Sequence, residues 1–203
     1  MLRPDFVYFD LGNVLCFFDH QRSVENMVAI TGSDSTTIRN IVYVADLEHR
    51  YETGLISGKE FVNEISQSLK IPSLDCDAML IAASDMFRPN DEILAVLNRI
   101  ESMGIPIGIL SNTCDAHWQW IVNQNYPQLR FRFDPIVLSY EEKVMKPDRE
   151  IYRLSTEKCG FEAHKIFFTD DRIDNIDAAK QFGWSTHAFV DVANLMTTID
   201  QWE

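Results

Sequence analysis

The chain has 203 residues, with 18 Lys and Arg against 31 Asp and Glu, for a formal net charge of −13. That length fits one domain, or one domain with a substantial insertion, and 46% hydrophobic with 24% charged residues fits a globular chain that buries its core without disulfides or a structural metal. The excess acid repels polyanions, so nucleic acid and anionic membranes are excluded as partners.

No apolar run approaches the roughly 20 residues of a membrane span. The opening Met1-Leu2-Arg3-Pro4-Asp5 runs straight into a strand-like segment and is not a signal peptide. Cys16, Cys76, Cys114 and Cys159 form no CxxC pair, which predicts reduced thiols in a cytoplasmic protein, expected as a monomer or weak dimer.

Residues 5–10 (DFVYFD) are aromatic and β-branched, end in acid and then Gly12, and predict a buried strand. The next stretch changes period. Val24, Met27 and Val28 lie on one helical face, and Ile38, Ile41, Val42 and Ala45 repeat the spacing after Gly32. Ser57-Gly58-Lys59-Glu60 has capping-box spacing, followed by Phe61, Ile65 and Leu69. Pro72-Ser73 opens a further helical segment through about Phe87. Residues 17–88 thus predict helices only.

Alternation begins after Pro89. Asn90 is placed to cap a helix carrying Ile93, Leu94, Leu97 and Ile100 and ending at Gly104. IPIGIL (105–110) predicts a strand, with Ser111-Asn112-Thr113 as the turn into a helix. Pro135–Leu138 is a short strand, and Pro147 opens a helix that ends by Gly160. KIFFT (165–169) is a strand, Asn175–Phe182 a helix and Ser185–Val190 a last strand. This alternation predicts an α/β fold with a parallel sheet. The helical block 17–88 reads as a cap inserted after the first strand of a core made from 1–16 and 89–203.

Ligands of open parallel sheets bind beyond the carboxyl ends of the strands. Asp10, Ser111-Asn112, Lys146-Pro147 and Asp170-Asp171 all fall at such ends. In that order, Phe9-Asp10-Leu11-Gly12-Asn13-Val14-Leu15, Leu110-Ser111-Asn112-Thr113, Lys146-Pro147-Asp148 and Phe167-Phe168-Thr169-Asp170-Asp171 through Asn175 resemble the four motifs of the haloacid dehalogenase superfamily. The wording is most similar to its bacterial sugar-phosphatase branch, which includes α-D-glucose-1-phosphate phosphatase.

The resemblance implies a Rossmann-like core, a helical cap, a Mg²⁺ ion and a phospho-aspartyl intermediate formed on a small phosphorylated metabolite. Phosphoryl transfer needs a nucleophile, charge neutralisation and positioning. Asp10 is expected as the nucleophile, Asp10, Asp171 and the Gly12 carbonyl as Mg²⁺ ligands, and Ser111 and Asn112 as donors to the transferring oxygens. Lys146 is expected against both the phosphate and Asp10. Asp170 and Asn175 are expected to orient Asp171 or a water on the metal.

Gly12 departs from the usual pattern, in which a second Asp protonates the leaving group. The sugar-phosphatase branch shares this Gly. Asp19, His20, Glu52 or a water on the metal are open as substitutes. Asp46, Glu48 and Glu52 otherwise read as solvated helix faces, and His20, His49, His117, His164 and His187 as mostly solvated or structural. A 2-haloacid dehalogenase also tolerates Gly12 and needs no metal, but Asp170-Asp171 puts too much negative charge beside a carboxylate substrate. An inactive interaction module on the same fold is the third reading.

Overall fold

The structure, a computed structural model, describes residues 2–202. Strand β1 (Phe6–Phe9) leads into a short β2 (Cys16–Phe18). Five α-helices follow: α1 (His20–Thr31), α2 (Ser35–Arg39), α3 (Leu47–Glu52), α4 (Gly58–Leu69) and α5 (Cys76–Ser84), with a π-helical turn at Asn40–Val44. The chain returns through β3 (Phe87–Pro89) to α6 (Ile93–Ser102), β4 (Ile107–Ser111), α7 (Asp115–Asn123) and β5 (Phe133–Leu138). It ends with α8 (Ser139–Glu142), α9 (Arg149–Cys159), β6 (Ile166–Asp170), α10 (Ile173–Phe182), β7 (Ser185–Ala188) and α11 (Val192–Ile199).

The main sheet has the order β5-β4-β1-β6-β7, and every pairing is parallel. All four residues of β1 are buried, as expected of a central strand covered on both faces. Successive side chains alternate between two apolar layers. Val7 and Phe9 pack with Ile93, Val96, Leu97 and Ile100 of α6 and with Leu195 and Ile199 of α11. Phe6 and Tyr8 pack with Ile151 and Tyr152 of α9 and with Ile176 and Ala179 of α10. Among the described residues, no helix is long and apolar enough to cross a membrane.

Helices α1–α5 carry a separate apolar cluster that includes Val24, Met27, Ile38, Phe61, Ile65 and Met79. The Ser57–Glu60 capping box is formed, with Ser57 N donating to Glu60 at 2.7 Å. Three local expectations are corrected. The block 17–88 is not purely helical, because β2 and β3 pair antiparallel at its two ends, across the expected boundaries. Each strand is three residues long and gives no periodic signal. Asn90 does not cap α6 with its side chain, since Nδ2 donates to the Val14 carbonyl at 2.8 Å and ties the two crossings together. Helix α9 starts after Pro147, with Asp148 capping Glu150 N at 2.8 Å.

Candidate active site

Parallel pairing sends the ends of β1, β4 and β6 to one rim, and Asp10, Ser111-Asn112 and Asp170-Asp171 arrive there together. Asp10 is 6% exposed. Its Oδ1 accepts from Leu11 N at 2.7 Å and from Lys146 Nζ at 2.8 Å. Lys146, on the loop before α9, also donates to Asp170 Oδ2 at 2.6 Å and to the Leu110 carbonyl at 2.9 Å. An ammonium has three N–H donors, and here all three are committed within the protein. The lysine is thus held as a fixed charge beside Asp10.

Asp170 is fully buried and also accepts from Arg172 N at 2.8 Å and from Asn175 Nδ2 at 3.0 Å on both oxygens. Asp170 thus accepts from Lys146, and Asn175 holds Asp170. Asn13 Nδ2 donates to Asp171 Oδ2 at 2.9 Å from a left-handed backbone (φ 55), a conformation Asn tolerates. The side chain of Asn112 clamps the peptide of Lys146. Its Nδ2 donates to the Lys146 carbonyl and its Oδ1 accepts from Lys146 N, both at 2.8 Å. The Asn112 side-chain amide is thereby occupied. Ser111 is buried with its hydroxyl on the Asn112 carbonyl at 3.3 Å.

Burial raises the Asp10 carboxyl to about 7, with Asp170 and Asp171 adding to the rise and Lys146 opposing it. Burial pulls Lys146 down, but Asp10 and Asp170 outweigh it and hold the lysine above its ordinary value. One lysine thus faces three carboxylates. One oxygen each from Asp10, Asp170 and Asp171 lies within 4.8 Å of the others. These are hard oxygen donors of the kind Mg²⁺ prefers, and Asn175 Oδ1 beside them is buried without a hydrogen-bond partner. The residues present fit a hard divalent cation.

Above the rim lies a cavity of about 200 Å³ lined by Asp10, Ser111, Lys146 and Asp171 on one side and by His20, Glu48 and Glu52 on the other. The expectation that Glu48 and Glu52 face solvent is corrected. They stand one turn apart on α3, half-buried over the site. Burial raises Glu48 to about 9, helped by Glu52. His117 also lines the cavity, and burial lowers it to about 4. His20 stacks between Phe18 and Tyr43, with ring centroids at 4.9 and 4.5 Å. None of these residues lies in a strand-end motif. At Gly12 a side chain would start 2.9 Å from the Phe18 ring.

The haloacid dehalogenase-like hydrolase family model matches residues 5–183. The chain is 23% identical to the sesquiterpene phosphatase astK of Aspergillus oryzae over 183 residues, 86% of this chain and 84% of that one. It is 27% identical to the (S)-2-haloacid dehalogenase of Pseudomonas fluorescens over 96 residues, 47% of this chain but only 41% of that enzyme. Among solved structures, a HAD family enzyme of Bacteroides thetaiotaomicron in complex with magnesium and inorganic phosphate superposes with a TM-score of 0.81 at 27% identity, covering 96% of this chain and 99% of that one. The chain is a member of the haloacid dehalogenase-like hydrolases.

Proposed function

We propose that the protein is a Mg²⁺-dependent phosphatase of a small phosphomonoester, a sugar phosphate such as glucose-1-phosphate, acting through a phospho-aspartyl intermediate on Asp10. The observation that carries this reading is the buried Asp10 beside Lys146 at 2.8 Å, with one oxygen each of Asp170 and Asp171 within 4.8 Å. The magnesium and phosphate of the Bacteroides enzyme and the phosphatase activity named for the Aspergillus relative support it.

Asp10, Asp171 and the Gly12 carbonyl would hold the ion, which supplies charge neutralisation between carboxylate and phosphate. Both hydrogen bonds to Asp10 fall on Oδ1, so Oδ2 is the oxygen left to attack phosphorus. Lys146 keeps Asp10 oriented and anionic once the ion is bound. The Ser111 hydroxyl and the Asn112 backbone N–H are the donors left for the transferring oxygens, since the Asn112 amide is occupied. We read residues 17–88 as a cap over a core of 1–16 and 89–203, with α3 as its wall above the site.

The inner cavity is smaller than the roughly 300–1,000 Å³ of drug-sized pockets. It opens onto a groove bordered by Asp46, Glu48, His49, Lys143, Asp148 and Arg172. That charged mouth suits a hydroxylated substrate better than a hydrocarbon chain. The test is release of phosphate from p-nitrophenyl phosphate and glucose-1-phosphate, and of halide from 2-chloropropionate, with Mg²⁺ or EDTA. Metal-dependent phosphate release supports the proposal; halide release that persists in EDTA sinks it in favour of a dehalogenase.

A further inference from the structure

The usual acid of this site is missing at Gly12, and the structure shows why the rim itself does not replace it. The space beside Gly12 is filled by the Phe18 ring, 2.9 Å from where a Cβ would stand. The remaining rim groups are occupied: Lys146 has no free donor, and Asp170 accepts bonds on both oxygens. The leaving group of a substrate attacked by Asp10 must point away from the rim, towards α3.

Glu52 is the last residue of α3, and this end of the helix is pinned to the core at three places. Ser139 Oγ donates its one proton to the nearer Glu52 carbonyl at 2.6 Å, lies 3.0 Å from the Thr113 carbonyl, and accepts from Thr113 N at 2.9 Å. Thr53 Oγ1 gives its one proton to the His49 carbonyl at 2.6 Å and lies against Met145 Sδ, next to Lys146, at 3.3 Å. Lys143 Nζ donates to the Gly54 carbonyl at 2.7 Å. Gly54 itself lies so close to the core that a Cβ would stand 2.2 Å from the Tyr140 carbonyl oxygen. The Glu52 carboxyl is therefore held over the cavity by the same segments that carry Thr113 and Lys146, and it accepts no hydrogen bond from the described residues.

We propose that Glu52, delivered across the cavity from α3, is the general acid and base of the reaction, in the place left vacant by Gly12. This rests on the phosphatase reading above. As Asp10 Oδ2 bonds to phosphorus, the bond from phosphorus to the ester oxygen breaks and that oxygen takes the proton of the Glu52 carboxyl. In the second half, the Glu52 carboxylate takes a proton from water as the water oxygen bonds to phosphorus. The bond from phosphorus to Asp10 then breaks, restoring both carboxyl groups to their starting states.

The environment suits an acid that must be protonated near neutrality. Burial raises Glu52 to about 7, against the pull of Lys146 and Arg172. The other groups facing it are Glu48 on its own helix, the Tyr43 hydroxyl from the preceding π-helical turn and the Cys114 thiol before α7. A catalytic carboxyl works best with its pKa near the working pH.

The experiment is Glu52→Gln with Mg²⁺, assayed on p-nitrophenyl phosphate, whose leaving group needs no proton, and on an alkyl phosphate, whose leaving group does. The expected result, read in the first turnover by rapid mixing, is release of p-nitrophenol at near the wild-type rate and a loss of about 10²–10⁴-fold in release of the alcohol, with the alkaline fall of that alkyl-ester profile abolished; steady-state turnover falls on both esters, because the base step is common to them. Equal losses in the first-turnover release from both esters, or none on either, overturn the assignment while leaving the phosphatase reading intact. A wild type inert towards both esters overturns that reading and this assignment with it. The wild type alone supplies a second readout: a solvent deuterium isotope effect on first-turnover release from the alkyl ester only is expected, and its absence overturns the assignment even where the variant does not fold.

Discussion

The two walls of the cavity are built on opposite principles. On the sheet rim, the groups around Asp10 are tied down: Lys146 uses all three donors, Asp170 accepts on both oxygens, and Asn112 clamps the Lys146 peptide with two bonds of 2.8 Å. On the helical wall, the Glu48 and Glu52 carboxylates line the same cavity with no hydrogen bond from the described residues. A saturated network in a low-dielectric site fixes geometry and costs little to reorganise during reaction. Unpaired carboxyls are available to a ligand. The rim is therefore suited to the step common to all substrates, and the helical wall to what differs between them.

The largest expected effect comes from breaking the rim. Lys146→Met strands Asp10 and Asp170 as buried unpaired carboxylates, and the expected loss is about 3–5 kcal/mol of stability in denaturant melts without Mg²⁺. A loss under 1 kcal/mol would mean that the rim is not held by charge. Next comes the joint between the walls. Gly54→Ala forces a Cβ against the Tyr140 carbonyl at φ 66, with an expected cost of about 1–3 kcal/mol. Activity should fall with it, because Glu48 and Glu52 lose their seat; an unchanged variant would show that α3 is not docked through this contact.

A smaller effect is expected from pH. The Asp10 carboxyl is raised to about 7, so below that pH protons compete with the ion. Mg²⁺ affinity by calorimetry should weaken about tenfold per unit as pH falls below 7 and level off above it. The folded carboxyl binds its proton more tightly than an unfolded one. Its contribution to apo stability is thus full below the ordinary carboxylate range and lost as pH rises to about 7, so the ion should raise the melting temperature more at pH 8 than at pH 6. The smallest effect is at Gly12. Gly12→Asp must push aside the Phe18 ring, which is 36% exposed and able to yield, at an expected cost of about 1 kcal/mol and with no gain in turnover. A large gain would show that the space is open.

Much of the rim was legible in the sequence. Hydrophobic runs such as KIFFT and IPIGIL end where polar residues begin, and a parallel sheet collects those ends, so Asp10, Ser111, Lys146 and Asp171 come to line one cavity. What each side chain bonds to was not legible. The full occupancy of Lys146 and Asn112 depends on a contact between segments 34 residues apart. Glu48 and Glu52 at helical spacing look like a solvated face, and only the docking of α3 through Ser139 and Gly54 turns them inward. The pairing of β2 with β3 was hidden for the same reason, since three-residue strands are defined by their partner and not by their pattern.

The most direct test of the phospho-aspartyl chemistry is to trap it. The enzyme is mixed with Mg²⁺ and a turning-over phosphomonoester, quenched, reduced with borohydride and digested, and the peptide containing Asp10 is examined by mass spectrometry. Reduction of an acyl phosphate at Asp10 to the corresponding alcohol, dependent on substrate and abolished by EDTA, is the predicted result. Steady release of phosphate with Asp10 unmodified under every quench, or with the adduct on another residue, would contradict the account.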